Sequence, residues 1–380
     1  MLYPTLFVGI DVSKLKHDVA IVNAHKQRVR KQLVLAEGRA GYEELLRALE
    51  ALQRQHQTTS FAIGMEATSE YWKNLFHFLV QQSATFAVTA LNPLQTRRYA
   101  EAELRRAKTD PIDANDIACF MAEKKPKPSF VRSPAMELIK DLDRQIYSFK
   151  KQHTMTSNKL RLELTKVAPE IEQSLRSLKG RQVLALFEHY PTAAAIASAA
   201  HEELRALRYG PHQWRLSTTF IAKMKTLAAN SIACKTGAYA GVIVQALVKR
   251  LVADQDAIAA LHMQIAELYH ALNAKPSLLT TIGLSPEMAM TLEAYIGEVA
   301  RFSNAKQIVA YFGMNPTINR SGKMQKRRTR LQKKGSGIVR HKLFMITLNL
   351  IRHKVAPFYN FYQRLVAAGK PKLVALAATM

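Results

Sequence analysis

At 380 residues, with 48% hydrophobic and 22% charged side chains, the chain has the make-up of a globular protein large enough for two or three domains. Its formal net charge of +26 and pI near 10.1 argue for a polyanionic partner, nucleic acid before an acidic membrane surface. No apolar run reaches the roughly 18 residues of a membrane span. Met1 to Ile10 lacks the basic start of a signal peptide. Cys119 and Cys234 are too few for a disulfide framework or a zinc site, so a reduced, cytoplasmic protein is expected.

Residues 1–125 read as an α/β layout with a mixed sheet. Leu6 to Asp11, His17 to Asn23 and Val29 to Leu35 form an antiparallel meander. A helix over Tyr42 to Leu52 follows, then a strand from Ser60 that ends at Glu66, a helix over Glu70 to Gln81, and a strand over Phe86 to Leu91. Pro93 opens a short helix, and Asp110 opens another as its N-cap, with Pro111 at the first helical position. Asp110 and Asp113 then share one helical face. Asp11 and Glu66 both sit at strand C-termini, where side chains converge at one edge of an α/β sheet. Four carboxylates from separate segments repel one another unless cations lie between them; one or two Mg²⁺ or Mn²⁺ ions would answer that and suit phosphodiester chemistry. The competing structural readings are an acidic first turn for the Asp pair and strand-end or helix-start acids for Asp11 and Glu66. Asp116, one turn further on, is expected at the surface.

Residues 126–275 begin with the basic, proline-containing linker Lys124 to Ser129 and turn helical after Pro134. Ile139, Leu142, Ile146 and Phe149 recur at helical spacing, continued by Leu160, Leu164 and Val167 until Pro169 breaks the run. From about Ala238 to Ala271 a second long helix carries Val244, Leu247, Leu251, Asp254, Ile258, Leu261, Ile265 and Leu268, the seam of a coiled coil with one polar intruder. The simplest arrangement is an antiparallel helical arm, paired within the chain or between protomers.

Residues 276–380 start with Leu278 to Pro286, whose Gly283 turn between short helices is compatible with a helix-hairpin-helix phosphate grip or with a plain turn. From Val299 to Met380 there are seventeen Lys or Arg and no Asp or Glu. Solvated surfaces mix both signs, so this one-sign region reads as a phosphate-binding face. Nine of the cations fall within residues 323–342, after Asn319-Arg320-Ser321-Gly322-Lys323. Arg320, Lys323, Arg327 and Arg328 are the expected phosphate contacts. Ser336, between two glycines, reads as a loop serine.

Gly9-Ile10-Asp11-Val12-Ser13-Lys14, Glu66-Ala67-Thr68, and Lys108-Thr109-Asp110 with Ile112-Asp113-Ala114 resemble the DEDD transposases of the IS110 insertion-sequence family, bridge-RNA-guided recombinases related to the Piv DNA invertases. The block from Arg301 through the Ser-Gly motif to Lys372 is similar to the C-terminal transposase domain of the same family. The resemblance implies a RuvC-like first domain of RNase H fold, a helical coiled-coil middle and a mainly α C-terminal domain. It also implies an acid tetrad of Asp11, Glu66, Asp110 and Asp113 holding the metal, and Ser321 as the nucleophile that attacks DNA. A structured non-coding RNA and a homodimer or homotetramer are further implications. Relatives would continue beyond Met380. Gly-Ile-Asp-Val-Ser also resembles the first phosphate loop of sugar kinases, but the later Gly-rich adenosine loop of that fold is not found. The rival readings are a RuvC-like metal nuclease that resolves junctions by hydrolysis, and a nucleic-acid-binding protein without activity.

Overall fold

The computed structural model describes residues 5–82, 84–103, 110–237, 239–272, 284–317, 320–321, 324–325 and 330–380; for residues 110, 111, 320, 321, 324 and 325 it describes the backbone alone. Its contacts divide the chain into two units, Met1–Val131 and Arg132–Met380.

The first unit is built on a five-stranded mixed sheet. Its elements in order are β1 (Thr5–Val12), β2 (Lys16–Val22), β3 (Leu33–Ala36), α1 (Arg39–His56), β4 (Ser60–Glu66), α2 (Trp72–Gln82), β5 (Phe86–Leu91), α3 (Pro93–Ala102) and α4 (Asp110–Lys124). The strand order is β3-β2-β1-β4-β5, antiparallel through the first three and parallel from β1 to β5. β1 is the central strand, and its unbroken apolar run fits a strand covered on both faces. Leu6, Val8 and Ile10 pack with Leu45 and Leu49 of α1 and Leu75 and Leu79 of α2. Phe7, on the opposite face, packs with Ala114, Ile117 and Ala118 of α4. β3 is shorter than the expected Val29 to Leu35. The Asn23 side chain accepts hydrogen bonds from the His25 and Gln27 amides and closes a turn, after which Arg28 makes only an isolated bridge to Val22 and ladder pairing with β2 resumes at Leu33. The linker after α4 runs beside β5, where Ser129 bonds to the Val88 carbonyl and the Ala90 amide.

One contact fixes where α4 lies. A Cβ on Gly9 would stand 2.1 Å from the Ala114 carbonyl oxygen and 2.3 Å from the Ala118 amide nitrogen. The helix backbone therefore rests directly on β1, an approach open only to glycine. Gly64 repeats the device on β4, beneath the Met121 and Ile117 side chains.

The second unit is almost wholly helical. It runs α5 (Pro134–Val167), α6 (Pro169–Ser174), α7 (Arg181–His189), α8 (Ala193–Ser198), α9 (His201–Ala206), the two-residue strands β6 (Arg208–Tyr209) and β7 (Trp214–Arg215), α10 (Thr218–Ala229) and α11 (Val242–Ala271). There follow α12 (Pro286–Ile296), a 3₁₀ turn over Val299–Arg301, α13 (Ala305–Tyr311), β8 (Arg320–Ser321), β9 (Met324–Gln325), α14 (Gly337–Arg352), α15 (Phe358–Ala367) and α16 (Lys372–Thr379). α5 is a single 34-residue helix, capped by Ser133 and ended just before Pro169, which starts α6. α11 returns beside it in the opposite direction: Lys150 meets His262, His153 meets Gln255, and Leu160 and Leu164 pack with Val244 and Val248. The buried stripe of α11 is Val244, Val248, Leu251, Asp254 and Ile265. Val248 takes the buried place expected for Leu247, which is half-buried. An α-helix drifts against a strict heptad, and α7 also packs on this end of α11, turning the stripe toward it. Asp254 pairs with Arg250 of its own helix at 2.9 Å.

α12 joins the foot of the long pair, where Met290 and Ala294 meet Ile139, Ile146 and Ile265. Arg132 donates to the Ala294 and Tyr295 carbonyls and so closes the C-terminal end of α12. The buried Asp143 carboxylate is held by Lys342 at 2.7 Å and by the Tyr295 hydroxyl at 3.2 Å. Among the described residues no helix is long and apolar enough to cross a membrane.

Gly9→Ala is expected to lower the unfolding free energy by about 1–3 kcal/mol or more, because a methyl group there must lift α4 from the sheet. Urea denaturation of the two proteins measures it, and coincident transitions would contradict the packing described.

Candidate active site

Asp11 and Glu66 arrive side by side through strand register. β1 and β4 are parallel with Ile10 beside Met65, so the next residues of the two strands are Asp11 and Glu66. Registered neighbours on adjacent strands project to the same face, about 4.8 Å apart in backbone. That face is the one α4 covers, since Asp11 has the parity of Gly9 and Glu66 that of Gly64. α4 begins at Asp110 and passes Ala114 over Gly9. Asp113, immediately before Ala114, therefore belongs to the turn lying over the same end of β1. Asp11, Glu66 and Asp113 are all half-buried. The Asp110 side chain lies outside the described residues.

Glu66 is held by two hydroxyl donors, Thr68 Oγ1 to Oε1 at 2.8 Å and Thr96 Oγ1 to Oε2 at 3.0 Å. Both oxygens keep lone pairs, so the carboxylate is oriented without being neutralised. Two more acids stand close by that the sequence reading did not place there. Asp18 is directly opposite Asp11 across the antiparallel β1–β2 pair and hence on the same face. It is buried, accepts from Gln32 Nε2 at 2.5 Å and pairs with Lys16 at 3.5 Å. Only the hairpin register brings it there, and an Asp early in a second strand gives no local sign of that. Asp116, expected at the surface, is buried. It shares α4 with Ala114, Ile117 and Ala118, and the close seating of that helix on the sheet encloses it.

Like charges facing each other across a ladder are unfavourable without a cation. The donors here are all carboxylate oxygens, a set that suits hard ions such as Mg²⁺ and Mn²⁺. Among the described residues, no three His, Cys, Asp or Glu side chains close into a ready-made metal cage.

The opposite face of the same strand end is braced by a polar network. His17, fully buried and paired with Val12, contacts Glu37 Oε2 through Nε2 at 2.5 Å. Tyr42 Oη donates to the same carboxylate at 2.7 Å and Asn74 Nδ2 donates at 3.4 Å. Burial by itself would raise the Glu37 pKa, but the hydrogen bonds from Tyr42, His17 and Asn74 outweigh it and hold the carboxyl below its ordinary value.

In the second unit, Ser321 is the last residue of β8 and stands opposite Met324 of β9. The ribbon is continued toward its base by the Thr317 amide to the Arg330 carbonyl at 2.8 Å and the Gln332 amide to the Asn315 carbonyl at 2.9 Å. Gly313, at φ 66°, and Gly335 cross so closely at that base that a Cβ on either would meet backbone within 2.5 Å. The side chains of Arg320 and Ser321 lie outside the described residues, as do Lys323, Arg327 and Arg328 and the Gly283 turn. Ser336 is the N-cap of α14, its Oγ accepting from the Val339 amide, a structural role.

Residues 8–169 match the DEDD transposase model of the IS110 elements, described as a transposase. Residues 276–363 match the model described as the transposase IS116/IS110/IS902 family. The chain belongs to the IS110 family of transposases. Asp11, Glu66, Asp110 and Asp113 fall in the first matched region and Ser321 in the second. Among its relatives is the "Insertion element IS110 uncharacterized 43.6 kDa protein" of Streptomyces coelicolor, 27% identical over 83% of this chain and 77% of that one. The pilin gene-inverting proteins of Moraxella bovis and Moraxella lacunata are each 22% identical over 98% of this chain and 92% of theirs. Membership makes this an enzyme of the transposase and recombinase class, and the DEDD type points to divalent-metal use.

Because the folded state lowers the Glu37 pKa, its carboxylate contributes stability that is fully present above the ordinary carboxylate range and is lost as pH falls through the folded value. The stability gap between the native protein and Glu37→Gln is therefore expected to be widest near neutral pH and to shrink in acid. Thermal melts of both proteins from pH 7 downward measure this; a gap that widens in acid would contradict the assignment.

Proposed function

We propose that this transposase cuts and rejoins DNA through a serine–DNA phosphodiester, with Ser321 as nucleophile and Asp11, Glu66, Asp110 and Asp113 holding Mg²⁺ or Mn²⁺. The observation that carries the proposal is the register that sets Asp11 beside Glu66 on the sheet face over which α4 begins. Three elements remote in sequence thereby deliver acids to one sheet edge, which supports a RuvC-like catalytic domain over residues 1–125. The metal supplies charge neutralisation at the attacked phosphate and at the leaving oxygen.

The chemistry follows from what the two ends of the chain possess. Ser321 Oγ attacks phosphorus as its proton passes to a base; the P–O bond to the departing strand breaks, and the released oxygen takes up a proton. One diester is exchanged for another, so a second strand's hydroxyl can reverse the step and free the serine without ATP. A serine hydroxyl needs activation. From Val299 to Met380 there is no Asp or Glu side chain, and in this reading base and metal ligands come from the first domain, within one protomer or across two. Arg320, Lys323, Arg327 and Arg328 neutralise phosphates around the serine.

The same reading assigns the helical segment 126–275 to an arm that brings protomers together as a dimer or tetramer, and 276–380 to the nucleophile-bearing transposase domain. Exposed Leu162 and Met263 on the long helical pair support a protein partner there. A structured non-coding RNA that pairs with donor and target DNA is part of the proposal; the +26 charge supports RNA as well as DNA.

Incubated with DNA carrying its element ends and Mg²⁺, the protein is expected to form a covalent complex visible on a denaturing gel. Ser321→Ala should abolish that complex, and Asp11→Ala or EDTA should remove both the complex and strand cleavage. Free DNA ends from the Ser321→Ala protein would instead establish a hydrolytic nuclease. Cleavage undiminished in Asp11→Ala, or absent with every divalent ion, would refute the acid tetrad.

A further inference from the structure

Within the second unit, a cavity of about 480 Å³ opens between α5 and α14 beside α12. Its volume lies within the range of small-ligand sites, roughly 300–1,000 Å³. Its lining includes Tyr147, Lys150 and Lys151 of α5 and His341, Lys342 and Met345 of α14. The one carboxylate in its wall, Asp143, is already held by Lys342 and Tyr295. Three ammonium groups thus face one committed carboxylate, a surplus that selects an anion and rejects a cation.

Lys150 is the group this arrangement leaves unsatisfied. Its contact is the imidazole of His262, Nζ to Nε2 at 3.3 Å. Burial first, and then Lys150, lower the His262 pKa, against the pull of Glu287 at 3.8 Å from its Nδ1. Loss of surrounding water, and then repulsion from Lys342, hold Lys150 below the ordinary lysine value. A phosphate placed at the cavity mouth would relieve that repulsion. Beside the cations stands an aromatic wall: Tyr147 and His341 meet edge to face at 5.7 Å, and Tyr147 is 37% exposed. Met345 and Met155, both more than 40% exposed, flank it with polarisable surface. Cations next to an exposed ring are what an unpaired nucleotide requires, a phosphate held electrostatically and a base stacked on a π-face.

We propose that this cavity receives one unpaired nucleotide of a nucleic-acid strand, its phosphate on Lys150 and Lys151 and its base against Tyr147 and His341. The inference rests on the nucleic-acid substrate of the preceding section and names a contact outside both Ser321 and the acid cluster. DNA and RNA share the chemistry.

Single strands about 12 nucleotides long carrying 5-iodouracil, one in DNA and one in RNA, test it by ultraviolet crosslinking followed by peptide mapping. The expected product joins the strand to Tyr147, His341 or Met345, and the arm that reacts identifies the strand. Tyr147→Leu should weaken binding by about tenfold, and Lys150→Gln should flatten the dependence of log affinity on log salt by about 0.7. Strands that bind but crosslink only elsewhere, with both variants matching the parent, would overturn the pocket and leave the nucleic-acid reading standing. Failure of either single strand or of duplex DNA to bind at all would overturn both. The crosslink is mapped on the unaltered protein, so a variant that fails to fold leaves the test decisive.

Discussion

The first unit of this transposase depends on a missing side chain. Without a Cβ on Gly9, the backbone of α4 settles onto the central strand, and everything placed at the start of that helix is delivered to the end of that strand. The same seating encloses Asp116 and leaves Gly64 beneath Met121. The approach concentrates negative charge: Asp11, Asp18, Glu66 and Asp113 come from four elements, and the backbone directs three of them by register or by the seat of one helix. Hydroxyl donors orient Glu66, Gln32 and Lys16 hold Asp18, and the His17–Glu37–Tyr42 network stiffens the strand end from behind.

The second unit handles the opposite problem, a surplus of positive charge with few acids to balance it. Its cations turn to other acceptors. Arg340 donates to the Phe312 and Gly335 carbonyls, Arg132 to the end of α12, and Arg301 lies over the rings of Phe302 and Tyr311. Lys342 reaches an acid on α5. These contacts use cations as structural donors around the foot of the helical pair. Lys150 meets only a histidine, His262, among these contacts, and with Lys151 it borders the cavity proposed as a receptor.

Much of the first unit was legible because its periods are clean. The apolar run of β1, the break at Asn92-Pro93 and the Asp-Pro start of α4 are local signals, and each element lies close to where they put it. β3 fell short because the chain leaving the Asn23 turn makes only an isolated bridge, Val22 to Arg28, before pairing resumes at Leu33, a register that hydrophobic alternation does not encode. In the long pair, helical spacing gave the two helices and their opposed directions, while the Val248 shift depended on a third helix, α7, packing from the side. Asp18 went unremarked and Asp116 was expected at the surface for one reason: each is an ordinary acid in its own segment, and only register or packing makes it a neighbour of Asp11 or a buried group.

From the sequence alone came the kinds of elements, the family through its Gly-Ile-Asp and Asp-Pro-Ile-Asp motifs, and the segregation of charge between the two ends of the chain. Those properties are local or compositional, and no folding is needed to read them. Strand order, the pairing of Ile10 with Met65 that sets Asp11 beside Glu66, the descent of α4 onto Gly9 and the opening between α5 and α14 were settled by tertiary structure. Each is a relation between segments tens to nearly two hundred residues apart, and it exists only once burial of the apolar faces has chosen a single way to stack them.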